Sequence, residues 1–573
     1  MHPIMAEPRT RAPGPPIRIG FGFPNRPAVA AASLGVGIVA DLLLERPEVE
    51  LERFYLPRVG RLPDEGQIAP AGSIRLHPSG HALASADLLL LSVSFEGDAI
   101  GVPAVLEGGG MPARAVDRSE GHPLVVGGGA MMMINPEPVA AFFDVILVGE
   151  AEAFLHGFLD HWQALRTAPR LDRLNALASR PGVLVPLLRP HRVWSMSALP
   201  LRARETVVLT SDGVRSAGRF SDRAPGDSAG KTAGSAGSEA DRFVETIAWH
   251  APAGALRVKR MPPGTPGPDV LIELGRGCPR TCRFCAARRI YRPARDCPAV
   301  ALLEQARSEV RPGDVVGLMS LSAGDYRGLG VLTRGLRALD VRLSLSSVPA
   351  VFDRREVLDD LLASGARTLT IAPETGSDRL RRLVGKPMTN DGILRAVRAM
   401  GEAGLERLNT YFLIGLPGET TDDREAILTL LAAMRTELAG RCRLSATVNV
   451  FVPKPRTVFQ WAPMASLEEL KPVARRLRAG APRGVEVRVK SLREARVQAL
   501  LARGDVTWGE RLLRASRARL TPTAMLRRDG LSADTLTGPV DEESRLPWSY
   551  LLRDEETAVL RDEWNKARSA EEA

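Results

Sequence analysis

The stretch GRGCPRTCRFCAARR, Gly275 to Arg289, puts Cys278, Cys282 and Cys285 within eight residues of a chain that has five cysteines in all. Thiolates are soft ligands that suit zinc and iron–sulfur clusters. Zinc wants four ligands, usually with C-x2-C pairs. No second pair exists here: Cys297 and Cys442 stand alone, and no histidine lies beyond His250. Three thiolates on a tight loop instead suit three irons of a 4Fe–4S cube, leaving the fourth iron open to something that is not protein. Burial of the three merely as small apolar residues fits poorly with their bunching in an Arg-rich, Gly-flanked loop.

Working outward, the loop follows DVLIELGRGC, the first of a series of apolar strands separated by helical stretches. Strands are expected at Val270 to Leu274, Val315 to Leu321, Arg342 to Ser346, Thr368 to Ala372, Arg407 to Leu413 and Leu444 to Phe451. About six such units predict an incomplete β/α barrel, since a full one has eight. Upstream, IRIGFGFP, ADLLLLSVSF, HPLVVGGGA and FDVILVGEAEAF read as strands alternating with helices such as AAASLGVGIVADLLLE. That pattern predicts a doubly wound parallel sheet. Its ligand edge would lie near Pro24, Ser94, Gly127 to Gly129 and Gly149 to Glu150.

The expected fold class is α/β: an N-terminal doubly wound (Rossmann-like) sheet, a partial (β/α)6 barrel and a small helical C-terminal element. The expected boundaries are a lead-in at 1–16, the first domain at 17–165, a connecting region at 166–265, the barrel at 266–490 and an extension at 491–573. Within the connecting region, 219–242 is rich in Gly, Ser, Ala and Asp and reads as a disordered loop.

The net charge of +10 and pI of about 9.8 permit an acidic or nucleic-acid partner. Arginine is scattered, however, with no dense basic block of the kind that marks a nucleic-acid arm. Five unevenly placed cysteines do not make a disulfide framework and suit a reducing compartment. The N-terminus has no apolar core of the signal-peptide kind, and the strongest apolar run is too short for a bilayer. A cytoplasmic, membrane-free protein is expected.

The C-x3-C-x2-C spacing, with Phe284 before the third cysteine, resembles the radical S-adenosylmethionine (SAM) superfamily. The resemblance implies that Cys278, Cys282 and Cys285 hold a 4Fe–4S cluster whose open iron chelates SAM. One-electron cleavage of SAM there yields a 5′-deoxyadenosyl radical, which abstracts hydrogen from substrate and needs no general base, so no catalytic side chain is named. It also implies SAM contacts at strand ends. In SLSAGDY, Ser322, Gly324 and Asp325 stand loosely in place of a Gly-Gly-Glu-like segment that binds the SAM amino group. In IAPETGSDRLR, Glu374 and Ser377 are candidates for its ribose and carboxylate, although the segment reads equally as a helix start with Ser377 or Asp378 near the N-cap. In FLIGLPGET, Gly415 and Gly418 would let backbone approach the adenine, and a Pro-Gly turn accounts for them as well. FVPKPRTVFQW, Phe451 to Trp461, reads as a closure over the barrel mouth or as a rigid loop.

These motifs, together with VVGGGAMMMINPEP, VILVGEAEAF and LPWSYLL, resemble a family of largely uncharacterised radical-SAM proteins with an N-terminal domain like the cobalamin-binding domain. Cobalamin is therefore a candidate cofactor, without the Asp-x-His-x-x-Gly motif that supplies a cobalt ligand in many such domains. The expected function is C–H activation of an unknown substrate, with cobalamin-dependent methyl transfer as one form. The partner implied is a reductant such as flavodoxin or ferredoxin. The alternatives are an RNA-modifying enzyme of the methylthiotransferase type, disfavoured by the lack of cysteines for a second cluster, and a non-catalytic iron–sulfur redox protein.

Overall fold

The computed structural model describes residues 16–56, 70–194, 201, 203–210, 213–219, 242–249, 257–345 and 347–572. Nearly all of the expected lead-in, and the expected disordered loop between 220 and 241, lie outside them.

The first sheet contains β1 (Ile17–Phe23), β2 (Val49–Tyr55), β3 (Leu88–Ser92), β4 (Leu124–Gly128), β5 (Val145–Leu147) and β6 (Val183–Leu184), in the order β2-β1-β3-β4-β5-β6. All neighbours are parallel except β5 and β6. The unbroken leucine run of β3 is explained by burial on both faces. Leu88 and Leu90 join a core under the helices Leu34–Leu44 and Ala151–Ala164, while Leu89 and Leu91 join a second core on the other face. Each fully buried leucine contributes about 1.5–3 kcal/mol. The strand order reverses between β1 and β3, which opens a crevice at their carboxyl ends.

A three-stranded antiparallel sheet follows, from β7 (His191–Trp194), β8 (Ala203–Thr210) and β9 (Gly213–Arg219). The barrel is two four-stranded sheets. The first runs β10 (Val258–Arg260), β11 (Val270–Glu273), β14 (Val315–Met319), β15 (Arg342–Leu345); β10 is antiparallel and the rest parallel. A short ribbon, β12 (Gly275–Arg276) with β13 (Arg295–Asp296), interrupts the chain between β11 and β14. The second runs β16 (Thr368–Glu374), β17 (Arg407–Ile414), β18 (Arg443–Val450), β19 (Val485–Val489), all parallel. Val348 N–H donates to the Thr370 carbonyl at 2.9 Å between the two sheets. The six expected strands are present, and β10 and β19 add two that the sequence reading did not include.

The C-terminal helices are more than an appendage. Trp508, Trp548, Tyr550 and Trp564 are buried in the same core as Leu89, Leu91 and Val125 of the first sheet. Phe451, Phe459 and Trp461 from the segment after β18 join them. One core thus welds the first sheet, the barrel mouth and the last helices together.

Candidate cluster loop and adjoining cavity

The cysteine loop leaves the carboxyl end of β11 through the ribbon β12–β13. Gly277 has φ +85, and a Cβ there would lie 2.4 Å from the Tyr291 carbonyl oxygen, so only glycine lets the loop fold back on 291–294. Cys278, Cys282 and Cys285 are free, partly exposed thiols. Burial pushes the Cys282 thiol up to about 11, with Lys386 pulling the other way and Cys285, Glu374 and Cys278 adding to the rise. Burial likewise raises Cys285, against backbone N–H groups of Arg288 and Ala287. Crowded, partly buried thiols that disfavour one another's ionisation are relieved by a cationic metal group, which binds them as thiolates. Among the described residues no three His, Cys, Asp or Glu side chains converge as a single-ion site requires. A cube does not ask for that, because each thiolate bonds a different iron. The donor set therefore fits the cluster.

The loop is tied down from several sides. Arg280 donates to both oxygens of Asp325, at 2.8 and 2.7 Å, and Ser322 hydroxyl donates to the same carboxylate. Thr281 hydroxyl donates to the Gly385 carbonyl at 3.0 Å, and Arg283 N–H donates to that of Val384 at 2.9 Å. Gly385 has φ +73, and a Cβ on it would lie 2.6 Å from the Thr281 carbonyl. Phe284 packs against the shared core.

The expected SAM-contact residues divide into two groups. Ser322 and Asp325 hold Arg280 and thereby the cysteine loop; Gly324 beside them is buried, with Pro349 where its Cβ would go. Glu374 ends β16 at a bulge with φ 67, rare for a side-chain-bearing residue, and pairs with Lys386 at 2.7 Å. Lys386 and Glu374 both act electrostatically on Cys282. Ser377 is the N-cap of the helix Asp378–Leu383: it accepts from Leu380 N–H and donates to Asp423. It therefore caps the helix with its hydroxyl, as the helix-start reading expects, and keeps one oxygen lone pair free. Gly415 (φ +77) donates its N–H to Glu419 at 2.8 Å, and the Gly418 (φ +68) carbonyl accepts from Arg379 at 2.6 Å. The turn after β17 is thus built as the sequence suggests. The segment after β18 is a rigid bridge: Lys454 pairs with Glu96, and buried Arg456 donates to the Met133 carbonyl, both in the first domain.

A charge cluster that sequence reading missed lies under the loop. Arg276 donates to Glu273 at 2.7 Å and to Glu152 at 2.7 Å, and pairs with Glu150 at 3.3 Å. Arg295 pairs with Glu150 at 2.6 Å, and Arg257 pairs with Glu273. Arg257 also stacks on Trp249 at 4.2 Å. Burial opposes the charge on Arg276, yet hydrogen bonds to Glu152 and Glu273 hold its pKa above that of a free guanidinium. Glu150 and Glu152 belong to the first domain, and Arg276 and Glu273 to the barrel, so the cluster is an interdomain latch. Its one sequence signal is the pair of charges flanking the glycine in ELGRGC.

The latch forms one end of a cavity of about 610 Å³. The carboxyl ends of β1, β3, β4 and β5 line it, through residues including Ser94, Gly127 to Gly129, Gly149 and Glu150. The barrel contributes Glu273, Arg276, Tyr291 and Met319 to Leu321. The expected ligand edge of the first sheet therefore faces the barrel mouth, with Pro24 outside the lining. A Cβ on Gly128 would meet nothing within 4 Å, so this glycine leaves open space where a side chain would be. Among the described residues no histidine lines the cavity.

Residues 35–186 match the family "Radical SAM proteins, N-terminal", and residues 272–431 match "Radical SAM superfamily". An uncharacterised protein, MJ0966, of Methanocaldococcus jannaschii is 34% identical over 42% of this chain and 53% of its own length. The ribosomal protein uS12 methylthiotransferase RimO of Chlorobium phaeovibrioides is 28% identical over 30% of this chain and 43% of its own. These matches span about half the length of the relatives or less. Among solved structures, the radical S-adenosylmethionine methyltransferase TsrM of Kitasatospora setae aligns over 97% of this chain and 98% of its own, with 13% identity and a TM-score of 0.43. The cobalamin-dependent S-adenosylmethionine radical enzyme OxsB aligns over 73% and 52%, with 14% identity and a TM-score of 0.42.

Proposed function

We propose that this chain, which belongs to the radical SAM superfamily and is an enzyme, activates a C–H bond of a substrate held in the cavity between its first sheet and its barrel. The observation that carries this reading is the position of that cavity: its wall includes Arg276 and Tyr291, the two ends of the segment that bears the three cysteines. When bound, the cluster and its SAM supply one-electron cleavage of a sulfonium and, through it, hydrogen abstraction at an unactivated carbon. The protein supplies orientation and exclusion of water. Cys278, Cys282 and Cys285 would hold three irons. Glu374, fixed by its strained backbone and by Lys386, would receive the polar part of SAM. The N-caps and turns at Ser377, Gly415 and Gly418 would shape the floor beneath the adenine through backbone rather than side chains.

Cobalamin is the cofactor that this cavity fits best. It lies at a strand-order reversal, is mostly apolar, and has the side-chain-free Gly127 to Gly129 along one wall. Methyl transfer is then the reaction class favoured. The methylthiotransferase alternative gains from the likeness to RimO but not from the cysteines, since Cys442 is buried at the amino end of β18 and only Cys297 is left for a second cluster.

Anaerobically reconstituted protein given SAM and dithionite is expected to form 5′-deoxyadenosine and to retain corrin absorbance after desalting from hydroxocobalamin. Gly128→Phe, which projects a ring into open space without backbone strain, is expected to lose at least about tenfold in corrin occupancy while keeping its iron content. Equal corrin retention in the variant would remove cobalamin from the cavity. Absence of 5′-deoxyadenosine from the iron-replete wild type would remove the whole reading.

A further inference from the structure

We propose that Arg289 and Arg292, with Arg456 beneath them as a fixed charge, bind a phosphomonoester group carried by the substrate; this rests on the reading above that a substrate is held beside the cysteine loop. Arg289 lies on the short helix Ala287–Ile290 that follows Cys285, and Arg292 lies three residues further on. Arg456 comes from the bridge after β18. Its backbone is left-handed, with φ 63, and the residue is 5% exposed. Such a conformation is rare outside glycine and points to a demand from its surroundings. The two segments meet where Arg289 Nε donates to the Arg456 carbonyl at 3.2 Å. Arg456 Nη1 reaches across to the Met133 carbonyl and, at 2.9 Å, to the Thr246 hydroxyl. Met133 and Tyr291 both line the 610 Å³ cavity, so the arginines adjoin its wall.

The charge of this group is out of balance. Among the described residues none of the three arginines pairs with a carboxylate, and two buried nitrogens, Arg289 Nη2 and Arg456 Nε, have no hydrogen-bond partner. Other buried arginines are served better. Arg276, Arg257 and Arg118 each meet a carboxylate. Arg503 meets none, but three carbonyls accept from it and no second cation acts on it. Burial, joined by repulsion from Arg292, pushes the Arg289 and Arg456 guanidinium groups down to about 10. Glu556 of the last helix opposes this through space and bonds to neither. Three guanidinium groups against that one carboxylate leave two positive charges over. A phosphomonoester carries about −1.5 to −2 at neutral pH and balances them, whereas a carboxylate or phosphodiester would leave one. Guanidinium forks also match phosphate oxygens in pairs. Arg292 is exposed and Arg289 half-buried, so the group is open to a ligand on that side. Binding there makes and breaks no bond; it anchors the substrate by its charged end.

The test uses reconstituted full-length protein without SAM. Inorganic phosphate, glycerol 3-phosphate and acetate are titrated by isothermal calorimetry in a buffer free of other oxyanions. Both phosphates are expected to fill one saturable site. The double variant Arg289→Gln, Arg292→Gln should raise both Kd values at least tenfold with iron content unchanged. Arg443→Gln, at the amino end of β18, should change neither. In the wild type, either phosphate should slow phenylglyoxal modification of Arg292 at least fivefold, read by peptide mass, an effect that no misfolded variant can imitate. No saturable phosphate binding, no protection of Arg292, or an equal loss in Arg443→Gln overturns the proposal. Acetate binding as tightly as phosphate overturns it in favour of a carboxylate. Binding of inorganic phosphate with glycerol 3-phosphate excluded overturns it in favour of a free ion. Failure of the functional reading would show separately, as no 5′-deoxyadenosine with dithionite as reductant while phosphate still binds.

Discussion

Cys282→Ala is expected to yield a folded protein that carries little iron or sulfide and forms no 5′-deoxyadenosine above background. The argument separates anchoring from ligation. The loop is held by Arg280 on Asp325, Thr281 on Gly385 and Arg283 on Val384, and none of these bonds involves a cysteine sulfur. Cys282 is partly exposed, so its truncation costs stability of about 1 kcal/mol or less. With two thiolates left, the cube loses a corner ligand on the loop. Iron and sulfide analysis, visible absorbance and product chromatography measure the three outcomes. Full iron content with undiminished product would show that these cysteines are not the ligands.

The second large effect is expected at Arg276. Arg276→Met keeps most of the side-chain volume and removes the charge that Glu273, Glu152 and Glu150 share. Breaking a buried ion pair from one side costs about 3–5 kcal/mol, because it leaves charge uncompensated. The loss should appear as an early unfolding transition and as faster proteolysis near the first domain, with the cluster loop loosened two residues away. The latch also sets an acid limit. Burial pushes the Glu273 carboxyl up, but hydrogen bonds from Arg276 and Arg257 outweigh it and leave the pKa below 4.5. A carboxylate lowered by folding stabilises the protein above its unfolded pKa and loses that contribution as pH falls through the folded value. That share of the wild type's stability should thus hold down to about pH 4.5 and decline below it, read as a falling urea midpoint. The variant should be weaker across the neutral range as well. A variant as stable as the wild type at pH 7 would mean the cluster of charges holds nothing.

Much of this was legible in the sequence, for identifiable reasons. The leucine run of β3 and the alternating strands of the barrel carry their burial in their own spacing. The cysteine loop declares itself by composition alone. The strand β19 was missed although VEVRV alternates strictly between apolar and charged residues; at five residues the run is short enough to pass as the tail of the helix before it. The antiparallel β7–β9 sheet was hidden in a stretch with no strong period. Ser377 could be read as ligand or cap from its motif, and only the bond to Asp423 decides how its hydroxyl is used. The latch was out of reach because Glu150 and Arg276 are 126 positions apart in the chain, and nothing local to either names the other. The packing of Trp508 and Trp564 onto the first sheet was hidden likewise: a helical, charged tail shows that it has an apolar stripe, not what that stripe faces.

The final helix, Asp554–Glu572, touches the cysteine loop: Glu563 pairs with Arg283 at 3.4 Å, and Trp564 sets its ring edge-on to Phe459. Phe459 in turn donates its N–H to the Arg283 carbonyl. A nascent chain emerging from the ribosome therefore cannot complete the walls of its iron site until this helix has been synthesised. A ribosome stalled before residue 554 would hold the three thiols without the helix that pairs with Arg283 between two of them.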